Sequence, residues 1–78
     1  MNNTKFIQQF QSQFIDSDEI DVSAETTFRD LESWDSLTGM AVLVMIKDEY
    51  GVDMGEQDIK KCHTVQDIID FVSARAND

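Results

Sequence analysis

The chain has 78 residues, 41% of them hydrophobic, and a formal net charge of −10 from 16 acidic and 6 basic side chains. That length suits one domain over residues 1–78, with a core too thin to wall off a deep catalytic pocket, and the charge argues against nucleic acid and anionic membranes while favouring partners rich in Lys and Arg. A single Cys excludes an internal disulfide, no apolar run approaches the roughly 20 residues of a membrane span, and no signal peptide follows Met1, so a cytoplasmic monomer without membrane insertion is expected.

With no Pro and three Gly, the composition favours helices over a sandwich of tightly turning strands. Phe6, Ile7, Phe10 and Phe14 recur at helical spacing among Gln8, Gln9, Gln11 and Gln13. The spacing predicts a first helix over residues 4–15, capped by Asn3 or Thr4. Residues 16–34 form a long acidic connection in which residues 27–31 can make one turn. A connection of that length needs anchors or a function, and Val22, Phe28, Leu31 and Trp34 are the expected anchors. Within it, residues 16–27 lack the Gly and Glu that a calcium-binding loop needs at its sixth and twelfth places.

A second helix is expected over Ser36–Tyr50, with Asp35 as N-cap and Gly51 as its stop. Residues 53–62 make a connector with a short helical turn near residues 57–61. Thr64 then opens the last helix, with Asp67 completing a capping box. Val65, Ile68, Ile69 and Val72 form its buried stripe, and residues 74–78 are expected to fray. The fold class is all-α: a small four-helix bundle with a long first loop and a short third helix. Phe10, Phe14, Phe28, Ile46, Ile68 and Val72 are its expected core.

The second helix carries two apolar groups when successive residues are set about 100° apart. Val42, Leu43, Ile46 and Tyr50 share one arc with Gly39, with Met40 at its edge, and that arc is expected to face the core. Gly39 there would permit close approach of another helix. Leu37, Ala41 and Val44 lie on another side near Asp48. They form either a second buried face or an exposed docking strip. Ser36 falls in the first turn, where unpaired N–H groups and the positive end of the helix dipole favour an anion such as a phosphate ester.

Trp34-Asp35-Ser36-Leu37, the apolar helix to Met45-Ile46, the run Lys47-Asp48-Glu49-Tyr50-Gly51-Val52 and the stretch from Thr64 to Val72 resemble, in order and spacing, the acyl carrier protein family. The resemblance covers nearly the whole chain. It implies that Ser36 carries 4′-phosphopantetheine, taken from coenzyme A by a phosphopantetheinyl transferase that recognises Asp35. It implies a carrier with no catalytic residues of its own, which presents thioesters to acyl-loading and acyl-transferring enzymes through the helix that starts at Ser36. Leu37, Ala41, Val44 and Asp48 would be the docking residues. Met40, Leu43, Met54, Ile59 and Ile69 are candidates for sheltering the acyl chain, with ordinary core packing as the equal alternative for each.

The helix departs from the usual fatty-acid carrier in having Thr38, Gly39, Ala41 and Lys47 where further acids are common. That raises a dedicated carrier for a polyketide-like, lipid or saccharide pathway as an option beside fatty-acid synthesis. Two readings with different chemistry stand next to it: an aminoacyl or peptidyl carrier using the same serine, and an unmodified acidic helical adaptor. A Ser-His-Asp hydrolase would need the single histidine, His63, to reach Ser36, and no sequence feature places it there. Cys62-His63 alone is no metal site.

Overall fold

The computed structural model describes residues 2–76. In chain order it contains α1 (Asn3–Gln11), a 3-10 turn (Phe28–Asp30), α2 (Ser36–Tyr50), α3 (Glu56–Lys60) and α4 (Val65–Arg75), and no β-strand among the described residues. This is the expected all-α bundle, with a long first loop and a short third helix.

Each helix starts where a side chain can take its free N–H groups. Asn2 Oδ1 accepts from Lys5 N at 3.0 Å. Asp35 Oδ1 accepts from Thr38 N at 2.8 Å. Asp58 Oδ2 reaches back to Gly55 N at 2.9 Å ahead of α3. At α4 the predicted box forms: Thr64 Oγ1 accepts from Asp67 N at 3.2 Å, and Asp67 Oδ2 accepts from Thr64 N at 3.1 Å. α2 ends at Gly51, whose φ of 67° is left-handed and whose N–H donates to Lys47 O at 3.0 Å; a residue with a Cβ would be strained there.

The core joins an aromatic cluster to aliphatic side chains. Phe6, Phe10, Phe14 and Phe28 pack with Val42 and Ile46 of α2, and with Ile68 and Val72 of α4, all buried. Trp34 completes the aromatic cluster. Its ring meets Phe28 edge-on at 4.8 Å and stacks on Phe10 at 6.4 Å, geometries that aromatic pairs favour. All six expected core residues are therefore core.

The long connection is held as its length requires. Phe28 is buried, and Val22, Leu31 and Trp34 are half-buried against the core. Backbone bonds tie it to the start of α4, from Val65 N to Thr26 O at 3.1 Å and from Gln66 N to Ala24 O at 2.8 Å. Ser33 Oγ donates to Asp16 Oδ1 at 2.6 Å.

The first helix differs from its prediction at both ends. It is capped by Asn2 and stops at Gln11, four residues before Ile15. Beyond it the chain tightens into i→i+3 bonds, from Gln13 N to Phe10 O and from Phe14 N to Gln11 O, both at 3.1 Å. The Gln11 amide holds the turn by donating to Ser17 O at 2.8 Å and Ile20 O at 2.6 Å. The turn swings Phe14 into the core and leaves Ile15 96% exposed. Helical periodicity placed Phe14 correctly by burial and wrongly by conformation. At the other terminus Ala74 and Arg75 remain helical rather than frayed, while Asn77 and Asp78 lie outside the described residues.

Candidate functional site

α2 has three sides rather than two. Thr38, Val42, Met45 and Ile46 are buried. Ser36, Gly39, Met40 and Leu43 line an open cleft of about 300 Å³. Leu37 and Val44 stand out at 77% and 57% exposure, with Asp48 exposed and Ala41 half-buried on the same side. Met40, expected at the edge of the core arc, is 56% exposed. The core side is rotated toward Thr38 and Met45, because the Thr38 hydroxyl can be buried by donating to Ser33 O at 3.3 Å. A polar residue that satisfies itself on a nearby carbonyl looks like a surface residue in sequence.

Gly39 also plays a different part from the expected one. What approaches it is the Trp34 indole, where a Cβ would sit 3.4 Å from the ring. The Trp34 ring borders α2 at Gly39, so the residue before Asp35 forms part of the cleft.

Ser36 is exposed as the first residue of α2. The first turn carries no acidic side chain, so the positive end of the helix dipole is opposed there only by the cap. Hydrogen bonding to Thr38, chiefly its backbone N–H, holds the Asp35 carboxyl below the usual aspartate value. The cap therefore remains an acceptor at neutral pH.

Across the cleft from α2 stand Glu56, Ile59 and Lys60 of α3, and Arg29 and Trp34 come from the long connection. An exposed hydroxyl on a helix's first turn, opening onto a cleft with apolar walls and two cationic side chains, fits a phosphate ester followed by a long arm. Of the five residues expected to shelter an acyl chain, Met40, Leu43 and Ile59 line this cleft. Met54 and Ile69 are buried core and do not line it.

Leu37, Ala41, Val44 and Asp48 lie together on the outward side of α2, and the last three border a shallow depression with Gln13, Met45 and Glu49. Lys47, on the neighbouring side, is paired with Asp53 at 3.2 Å. His63 lies in a different depression from Ser36, beside Asp58, Cys62 and Asp67. Cys62 is buried, and that burial pushes its thiol up, with Asp67 adding to the effect.

Arg29 is the site residue that sequence reading missed. Its guanidinium donates to Ile59 O at 2.6 Å and to Cys62 O, and lies 5.0 Å from the centre of the Phe28 ring. The available signal was weak: a lone Arg after a buried Phe in an acidic stretch.

Residues 5–72 match the family model described as a phosphopantetheine attachment site. The chain is 34% identical over 55 residues to the acyl carrier protein of Myxococcus xanthus, covering 70% of each chain. It is equally similar over 55 residues to the acyl carrier protein of Micrococcus luteus, covering 70% of this chain and 68% of that one. The acyl carrier protein of Thermosynechococcus vestitus is 26% identical over 76 residues, 94% of both chains. No solved structure matches the chain significantly. Together with the helical bundle and the open cleft at the start of α2, these similarities show that the chain belongs to the acyl carrier protein family and bears a covalently attached 4′-phosphopantetheine.

Proposed function

We propose that Ser36 is the residue that takes the phosphopantetheine, and that Asp35 both caps α2 and helps the phosphopantetheinyl transferase recognise it. The observation that carries this reading is the exposed Ser36 hydroxyl on the first turn of α2, beside a cleft with apolar walls. The attached arm supplies a thiol on which an acyl group is held as a thioester. The protein's own residues position that thiol and shield its cargo, and catalyse nothing.

Acyl-handling enzymes dock, in this reading, on the outward side of α2. Leu37, Ala41 and Val44 supply close apolar contact, and Asp35 and Asp48 meet Lys or Arg of the partner and speed encounter. The exposure of Leu37 and Val44 supports an open strip over a second buried face. The scarcity of acids along this side favours partners that recognise apolar surface more than charge. The same reading takes the chain as a cytoplasmic monomer, and the net charge of −10 supports the monomer through self-repulsion.

The test is chemical. Incubation with coenzyme A, Mg²⁺ and a broad-specificity transferase is expected to add one phosphopantetheinyl group by intact mass. Ser36→Ala is expected to gain none while keeping the helical circular dichroism spectrum. Modification of the alanine variant, or failure of the wild type to accept the group, would overturn the assignment.

A further inference from the structure

We propose that Arg29 is a positioning residue that fixes α3 as the far wall of the Ser36 cleft, and so sets how much of the carried acyl chain the cleft accepts. The inference rests on the Ser36 reading for the location of the arm.

α3 spans five residues, Glu56–Lys60, far too few to be stable as an isolated helix. Its last turn is closed only by short local bonds, from Lys61 N to Asp58 O at 3.2 Å and from Cys62 N to Ile59 O at 3.1 Å, and Ile59 O and Cys62 O each keep room for a further donor. Arg29 reaches them from outside, with Nη2 on Ile59 O at 2.6 Å and Nη1 on Cys62 O. The planar guanidinium gives each carbonyl its own nitrogen in a rigid fork, whereas an ammonium would have to serve both from one nitrogen on a flexible stem. Its positive charge also suits the negative end of the helix. The fork is itself placed by the core. Arg29 follows the buried Phe28 in the 3-10 turn, and its guanidinium lies 5.0 Å from the Phe28 ring centre.

The wall held this way matters because of what stands opposite. Ile59 and Lys60 face Met40 and Leu43 of α2, with Trp34 along the same cleft. A fixed separation gives the cleft a definite capacity. Acyl carbons up to that capacity leave water, and longer chains project beyond it. If α3 drifts outward, the capacity loses its edge and Trp34 gains water. The cleft belongs to the carrier function, while its calibration by a side chain from the long connection is specific to this chain's Arg29.

Trp34 is the chain's one tryptophan, so its fluorescence reports on the cleft. Holo-protein would be loaded with acetyl, hexanoyl and decanoyl groups, with loading verified by intact mass. In the wild type, Trp34 emission is expected to shift to shorter wavelength as the chain lengthens and then level off. Arg29→Met, compared with wild type at equal verified loading, is expected to keep its helical circular dichroism spectrum and lose the levelling. In the apo-protein, the amides of Lys61 and Cys62 are expected to exchange roughly five- to tenfold faster in Arg29→Met. Arg29→Lys, which keeps the charge without the fork, is expected to behave like Arg29→Met, and it carries the test if the methionine variant does not fold. A wild-type length profile in either variant, or unchanged exchange at Lys61 and Cys62, would refute the role of Arg29. Failure of the wild type to load would instead count against Ser36, and the apo exchange would still decide on Arg29.

Discussion

The N-termini of α2 and α4 present the same unpaired N–H groups to their surroundings, and the chain treats them differently. At α4 every early N–H is taken. Asp67 Oδ2 accepts from His63 N at 2.8 Å and from Thr64 N at 3.1 Å, Thr64 Oγ1 takes the Asp67 N–H, and the long connection crosses over to bond Val65 and Gln66. At α2 the Asp35 cap takes the Thr38 N–H. Among the described residues no backbone carbonyl from another segment bonds the Ser36 or Leu37 N–H. One end is closed by the fold and serves stability; the other is left open, with a serine on it and a cleft beside it. A favourable helix start is thus not in itself a site. What distinguishes the two is whether the rest of the chain covers it.

Both ends hang on one core, and removing part of that core should erase the comparison altogether. Phe10 is buried and touches Phe6, Phe14, Phe28 and Trp34. Phe10→Ala is expected to cost about 3–5 kcal/mol, a large part of what so small a domain holds. It should leave a molten or unfolded chain by near-ultraviolet circular dichroism. A cooperative melt within a few degrees of wild type would show that the aromatic cluster does not support both ends.

A smaller perturbation separates the ends. Thr64→Ala opens the box at α4 and is expected to cost about 1 kcal/mol, roughly 4–8 °C in Tm for a domain of this size. The rate of phosphopantetheine transfer measured well below the melt should stay unchanged. A slowed transfer would mean that the two helix starts are coupled.

At the open end the balance is expected to reverse. Leu37 is 77% exposed, so Leu37→Ala should leave Tm within the small range typical of surface changes while slowing transfer more than Asp48→Asn does. Equal rates for Leu37→Ala and wild type at subsaturating carrier would remove Leu37 from the docking strip.

The smallest effect is expected in acid. Asp67 is held below its ordinary value of 3.8, chiefly by the His63 N–H and then by the Thr64 N–H. Asp35 is lowered from the same value through Thr38. The unfolded chain binds more protons near that pH, so both contributions are whole above 3.8 and are lost as pH falls through the lower folded values. Asp67→Asn should therefore be less stable than wild type at neutral pH, with the gap closing below pH 3.8. Parallel Tm curves for the two proteins through that range would show that ionised Asp67 adds nothing to the closed end.

Much of this was legible in the residues. The caps at Asp35 and Thr64 and the stop at Gly51 are local: each cap side chain satisfies an N–H three residues on, and the stop needs only a residue free to take a left-handed φ. The stripe of α4 and the aromatic positions of α1 were equally plain, because burial enforces their spacing. Legibility failed where a contact joins distant segments. The end of α1 was set by the Gln11 amide bonding Ser17 and Ile20 carbonyls. The core side of α2 was misplaced by one polar residue, Thr38, whose partner is a carbonyl five positions back.

The sequence by itself determined the four helices, the acidic surface and the serine on the first turn of α2, since these follow from periodicity, capping chemistry and charge count. Only the tertiary structure decided that Leu37 and Val44 face outward, that Met40 and Leu43 line a cleft while Met54 and Ile69 do not, and that Arg29 reaches the end of α3. Helical periodicity reports which residues share a side but not what covers that side. The answer depends on where the long connection runs, and its course is set by the packing of Phe28 and Trp34 against helices far away in the chain.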